Sequence, residues 1–454
     1  MKNLNCIQKI FPVLMGLVFM GCDSFLEEKS DGTLVVPGTL ADLQALLDNP
    51  TYRNNSYCAS GEVSADDYVL TREVYHSLAE DLRRMHTWQP DYIFAPTGNN
   101  DWLVTYQGIY HCSSVLQFLE GIPRTPANQQ TWDNVKGQAL ALRAFRYLEG
   151  VSLWGVAYDE GSANAELGIP LRTNPDFNEP TVRATLSETY QRILVDAKLA
   201  ASLLPITNIN AARPTKAMAY GLLARTYLYM RDYPMAGLYA DSCLQLQHRL
   251  INYSELDATA ALPFPWPLND EIIFLAIAAP NTMIRTQARV AGEWYERYAD
   301  NDLRKQVFFA QEPDGTISFK GNYSGLQTIF NGLAVDEMYL IKAECLIRQG
   351  MLDEGMDVLN ALLITRWKPG EYKPITAENP QGALETVLTE RRKELIRRGL
   401  RWQDIKRLNQ EGAEIVLERV YGDEIFRLPP NDPRYALAIP EDVIALSGIP
   451  QNRR

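Results

Sequence analysis

Residues 215–243 read TKAMAYGLLARTYLYMRDYPMAGLYADSC, and the fold follows from the spacing inside that stretch. Ala224 stands three residues before Tyr227; nine residues later come Ala236, then Ala240 and Cys243. At 3.6 residues per turn these small side chains fall on the facing surfaces of two consecutive helices. Their backbones can then approach closely while the Tyr227 ring fills the remaining gap. The stretch is an antiparallel helical hairpin of the kind that stacks in repeats.

The same offsets recur at Ala343, Leu346, Gly355, Leu359 and Leu362. A third copy begins at Ala144 and Tyr147, within a long buried helix marked by Val135, Ala139, Leu142, Phe145, Leu148 and Val151 and closed by Gly155. Its second helix is delayed to about Leu186–Leu203 by an insertion through Gly168-Ile-Pro-Leu171. A fourth pair joins Thr39–Leu47 to Asp101–Leu119. The reading is a mainly α fold with about four tetratricopeptide-like helix pairs, around 39–119, 133–203, 215–247 and 335–364. Two Pro-, Gly- and aromatic-rich inserts, 51–100 and 251–330, are longer than a compact domain spends on connections and form a loop-rich lobe. A further helix is predicted over Ala383–Arg398, before turns at Pro429-Pro430 and Pro440.

The first 21 residues have a different character. Lys2 and Lys9 precede an apolar run from Ile10 to Met20, and Gly21 stands directly before Cys22. The run is shorter than the ~20 residues a membrane span needs, so it reads as a leader. A cysteine at that boundary is where a bacterial lipoprotein is cut and acylated. We therefore expect 1–21 to be a signal peptide, Cys22 the lipid acceptor, and 22–454 one domain held on a membrane by its acyl chains.

Losing Lys2 and Lys9 but no acid takes the formal charge from −12 to −14, which argues against nucleic acid and against electrostatic adhesion to anionic lipid. With 46% hydrophobic and 22% charged residues, the chain can bury a large core. Cys58, Cys112, Cys243 and Cys345 show no metal-site spacing; one or two disulfides stay open, while Cys243 and Cys345 fall on apolar helical faces and read as free core thiols. The nucleophile elbow, phosphate loop, dinucleotide turn and His-Glu-x-x-His helix are all missing from the sequence. His111 beside Cys112 reads as a structural histidine, since neighbours on a helix diverge. No catalytic centre, metal or cofactor is nominated.

Several blocks together resemble the SusD/RagB family of Bacteroidetes outer-membrane lipoproteins. Cys22-Asp-Ser-Phe-Leu looks like the family's opening; Trp102-x-x-x-Tyr106-x-x-Ile109 and Leu142-Arg-Ala-Phe145 through Trp154-Gly155 resemble its early helices. The most specific block is Glu390-Arg-Arg-Lys-Glu394-Leu followed by Arg398-Gly-Leu-Arg401-Trp402-x-Asp404-Ile-Lys-Arg407. Ala438-Ile-Pro-Glu441 and Gln451-Asn452 fit its close.

The resemblance implies a cell-surface protein, lipid-anchored in the outer membrane, that binds nutrient glycans without cleaving them and passes them to a SusC-like TonB-dependent transporter. The alternatives are a peptide ligand on the same fold or a surface glycoside hydrolase. From residue chemistry, the ligand face is assigned to both inserts: Trp88, Tyr92, Asn99 and Asn100 from the first, Trp266, Trp294 and Tyr295 from the second. Aromatic faces suit the C–H patches of sugars, and amides suit their hydroxyls. The Glu390–Arg407 charges are read as a structural network.

Overall fold

The computed structural model describes residues 37–454 except 96–97, 267, 280, 324 and 326–327, so the leader and Cys22 lie outside the described residues. The fold is mainly α. The principal helices are α1 (Leu40–Leu47), α2 (Asp101–Glu120), α3 (Gln129–Trp154), α4 (Leu186–Leu203), α5 (Lys216–Met230), α6 (Tyr233–Leu246), α7 (Val335–Arg348), α8 (Leu352–Leu363), α9 (Pro380–Glu394) and α10 (Arg401–Asn409). Helix α1 packs on α2, α3 on α4, α5 on α6 and α7 on α8; α2 also lies along α3, α4 along α5 and α6 along α7, making one continuous helical wall.

Local chemistry sets the boundaries. Thr39 with Asp42 and Thr185 with Glu188 form capping boxes that satisfy the first amides of α1 and α4. Helix α5 stops where Arg231 turns left-handed at φ 62°, and Asp232 caps α6 one residue later. The close approach inferred from small residues is realised: a Cβ on Gly355 would sit 3.0 Å from the Ala343 carbonyl oxygen, and one on Gly237 would sit 2.9 Å from the Cys345 Cβ. Tyr227 stacks on Tyr239, with ring centroids 5.6 Å apart.

The strands are short and antiparallel: β1 (Leu167–Pro170) with β2 (Arg183–Thr185), β3 (Ile272–Phe274) with β6 (Leu333–Ala334), β4 (Phe309–Gln311) with β5 (Ile317–Phe319), and β7 (Leu417–Tyr421) with β8 (Glu424–Leu428). The irregular lobe has its own aromatic core of Tyr253, Phe264, Tyr298, Phe308, Phe309, Phe319, Tyr323 and Phe330. Helix α9 ends at Glu394, four residues short of the predicted Arg398, because Arg397 and Gly399 adopt φ of 59° and 69°. All four described cysteines are buried and free. His111 donates its Nε2–H to the Leu46 carbonyl at 2.6 Å and is structural.

Candidate functional site

The lobe is held to the helical wall by charges buried on both sides. Arg304 donates to Asp302 at 2.7 Å, to Glu390 at 2.6 Å and to Glu394 at 3.0 Å. Arg366 bridges Glu394 at 2.8 Å and Glu271 at 2.9 Å. A second chain runs Arg391–Asp404–Arg407–Glu344, with contacts of 2.8, 2.8 and 2.6 Å. Burial works against the Asp404 charge, yet Arg391 and Arg407 hold its carboxyl down to about 2. The charged block of the sequence is thus a scaffold that fixes the loops above it.

The seven nominated residues fall into different environments. Trp88 is buried, its indole N–H given to the Ser64 carbonyl at 2.9 Å and its ring covered by the Arg419 guanidinium at 4.9 Å. Trp294 is half-buried, with Arg392 at 3.7 Å and Arg297 at 4.4 Å over its ring. Tyr295 packs edge-on to Phe309 under the Lys305 ammonium. Cations and core residues lie against these three rings. Asn100 spends its side-chain oxygen capping α2, accepting from the Leu103 amide at 2.9 Å. Tyr92, Asn99 and Trp266 are exposed. The Trp266 indole lies against Gly325, where a Cβ would stand 2.0 Å from the ring, and half of its surface remains open. Gly325 has φ 64°, so backbone and space both require glycine there.

Trp88 and Trp294 both line one cleft of about 330 Å³. Tyr68-Val-Leu70, the whole run Val416–Tyr421, Glu293 and Arg392 line it with them. His86 lies behind it, sharing hydrogen bonds with Tyr68 at 2.7 Å and Tyr421 at 2.7 Å. Burial, then the neighbouring Arg419 charge, push this imidazole well below its ordinary value, so it stays neutral. The sequence reading missed β7–β8. Alternating buried Leu417, Arg419 and Tyr421 before Gly422-Asp423 are the signal that could have found it.

Deeper in, a chamber of about 50 Å³ is lined by Glu62, Glu149, Arg225, Asn331, Arg398 and Gln403 among others. Burial and the neighbouring Asp67 raise the Glu62 carboxyl to about 8; burial raises Glu149 to about 7 against the pull of Arg146. Among the described residues no cluster of three or more His, Cys, Asp or Glu could hold a metal ion, and no helix is long and apolar enough to cross a membrane.

A helical-repeat wall carrying an irregular, ion-pinned lobe defines the class: a mainly α protein built on helical pairs. Residues 24–228 match the family model described as "Starch-binding associating with outer membrane", and residues 336–426 match that of the "SusD family". The chain belongs to the SusD/RagB family. It is 21% identical to SusD-like protein P38 of Formosa agariphila, covering 90% of this chain and 93% of that one. Among solved structures, a putative sugar binding protein from Bacteroides vulgatus superposes with TM-score 0.74 at 20% identity, covering 92% of this chain and 99% of that one. A SusD superfamily protein from Bacteroides thetaiotaomicron gives TM-score 0.74, 20% identity and coverage of 92% and 100%.

Proposed function

We propose that this protein is a cell-surface nutrient-binding lipoprotein that captures oligosaccharide and passes it to a SusC-like TonB-dependent transporter. Family membership supports the general reading, and one observation carries the ligand class: Trp266 packs against Gly325 with half of its surface open, and an exposed indole suits the C–H face of a sugar ring. Tyr92, 62% exposed and held through its amide by Glu441 at 2.6 Å, offers a second open ring, and Asn99 an exposed amide for hydroxyls. Anchoring falls to Cys22. The protein binds and does not cleave.

A polysaccharide panel tests the reading. Retention of at least one glycan, with the products unchanged in length, is the expected result. Released shorter products would make the protein a glycoside hydrolase, and retention of none would leave a peptide or protein carrier. For the transfer step, purification from native membranes in mild detergent should bring down a barrel-sized partner in near-equal amount; recovery of the protein alone would count against it.

A further inference from the structure

The cleft beneath Trp294 has a different chemistry from the open rings. Its lining takes in six consecutive residues of one chain, Val416–Tyr421, including Leu417, Arg419 and Tyr421, which point inward, and Val416, Glu418 and Val420, which point outward. Only an approach along the edge of a strand meets both of its faces. Among the described residues strand β7 pairs with β8 alone, through a two-residue loop flanked by Tyr421 and Glu424. In such a hairpin the hydrogen-bonded pairs are 421 with 424, 419 with 426 and 417 with 428. The main-chain groups of Glu418 and Val420 therefore face away from β8, and no other described residue bonds them.

The run Tyr68–Leu70 has the same character. Val69 exchanges both main-chain hydrogen bonds with Arg289, at 2.7 and 2.9 Å, so the main-chain groups of Tyr68 and Leu70 point the other way and have no hydrogen-bond partner within the described residues. Residues of both runs, Tyr68–Leu70 and Val416–Tyr421, line one cleft. Arg419, rooted in β7, donates to the carbonyls of Ala65 at 2.7 Å and Val63 at 3.2 Å, which ties the segment leading into 68–70 to β7.

We propose that this slot takes an extended polypeptide segment of another protein, added as a strand between β7 and residues 68–70. Half-exposed Val69, Val416 and Val420 line the rim, so the guest presents apolar or β-branched side chains at alternate positions. Glu293, at the Trp294 end, has no ion-pair partner among the described residues, so a lysine or arginine of the guest belongs there. The slot is independent of the sugar-binding reading: its aromatic faces are already covered by guanidinium groups, and a strand edge recognises amides.

The test uses calorimetry with acetyl-Lys-Thr-Val-Thr-Val-Thr-Val-amide and with the same peptide N-methylated at alternate amides. The parent peptide is expected to bind saturably, and N-methylation to weaken it roughly tenfold or more by removing edge hydrogen bonds. Val420→Pro deletes a main-chain N–H that β8 does not use, and is expected to abolish binding with the thermal melt unchanged, while Val420→Thr retains it. Equal binding of the N-methylated peptide, no binding of the parent, or displacement of the peptide by a linear glycan would overturn the proposal. So would a concentration-dependent dimer lost in Val420→Pro, which would make the guest a second copy of this chain.

Discussion

Arg304 and Glu394 meet at 3.0 Å with both side chains wholly buried, joining the irregular lobe to helix α9. The same Glu394 receives Arg366 through its other oxygen at 2.8 Å, so one carboxylate serves two guanidinium groups from different segments. Glu394→Ala takes one acceptor from each cation, while Arg304 keeps Asp302 and Glu390 and Arg366 keeps Glu271. We predict a loss of about 1–3 kcal/mol in chemical denaturation, the cost of leaving buried donors without their acceptor. A loss below about 1 kcal/mol would show that the lobe is held mainly by its aromatic core.

Trp266→Ala should weaken a cognate glycan by on the order of 1–3 kcal/mol with an unchanged melt. Tyr92→Ala should act in the same direction. Trp294→Ala, whose ring is covered by Arg392 and Arg297, should leave glycan affinity intact. Calorimetry on the three variants separates an open-ring site from one inside the cleft.

Glu149 gives a pH dependence with a definite sign. Its buried carboxyl titrates at about 7 in the fold and near the ordinary 4.5 when unfolded, so between those values the folded state binds more protons. Stability from this group is fully present below pH 4.5 and is lost as pH rises through 7. Glu149→Gln should flatten that decline, gaining about 2 kcal/mol relative to the parent on moving from pH 5 to pH 8. Parallel stability profiles for the two proteins over that range would remove Glu149 as the cause.

Cys22→Ala should abolish fatty-acid labelling and release the protein into soluble fractions. Continued labelling of that variant would place the anchor on another residue.

The helical framework was legible because it rests on a local period. Ala224, Tyr227, Ala236 and Ala240 are all buried in the hairpin their spacing indicates, and the packing at Gly355 follows the same rule. Ring exposure was not legible. The cations over Trp294 include Arg392, nearly a hundred residues away, and the cover over Trp88 is Arg419, further still. An aromatic residue in a loop looks the same in sequence whether an arginine lies on it or not. Trp266 packs against Gly325, nearly sixty residues away, a contact that only a glycine permits and that the local sequence does not announce. The end of α9 was misplaced for a related reason: Arg398 turns to donate to Asp336 at 2.9 Å, a long-range contact that outweighs the local preference to continue the helix.

Cys58, Cys112, Cys243 and Cys345 lie inside the core as thiols, and burial raises the ionisation of each of them. The thiolate is the reactive form, so these four should ignore maleimides while the protein is folded. A version starting after Cys22 therefore needs no cysteine removed before a dye is attached. One cysteine introduced beside Tyr92 or on the β7–β8 hairpin would be the sole labelled position, which turns the core's own chemistry into a convenience for fluorescence measurements of binding.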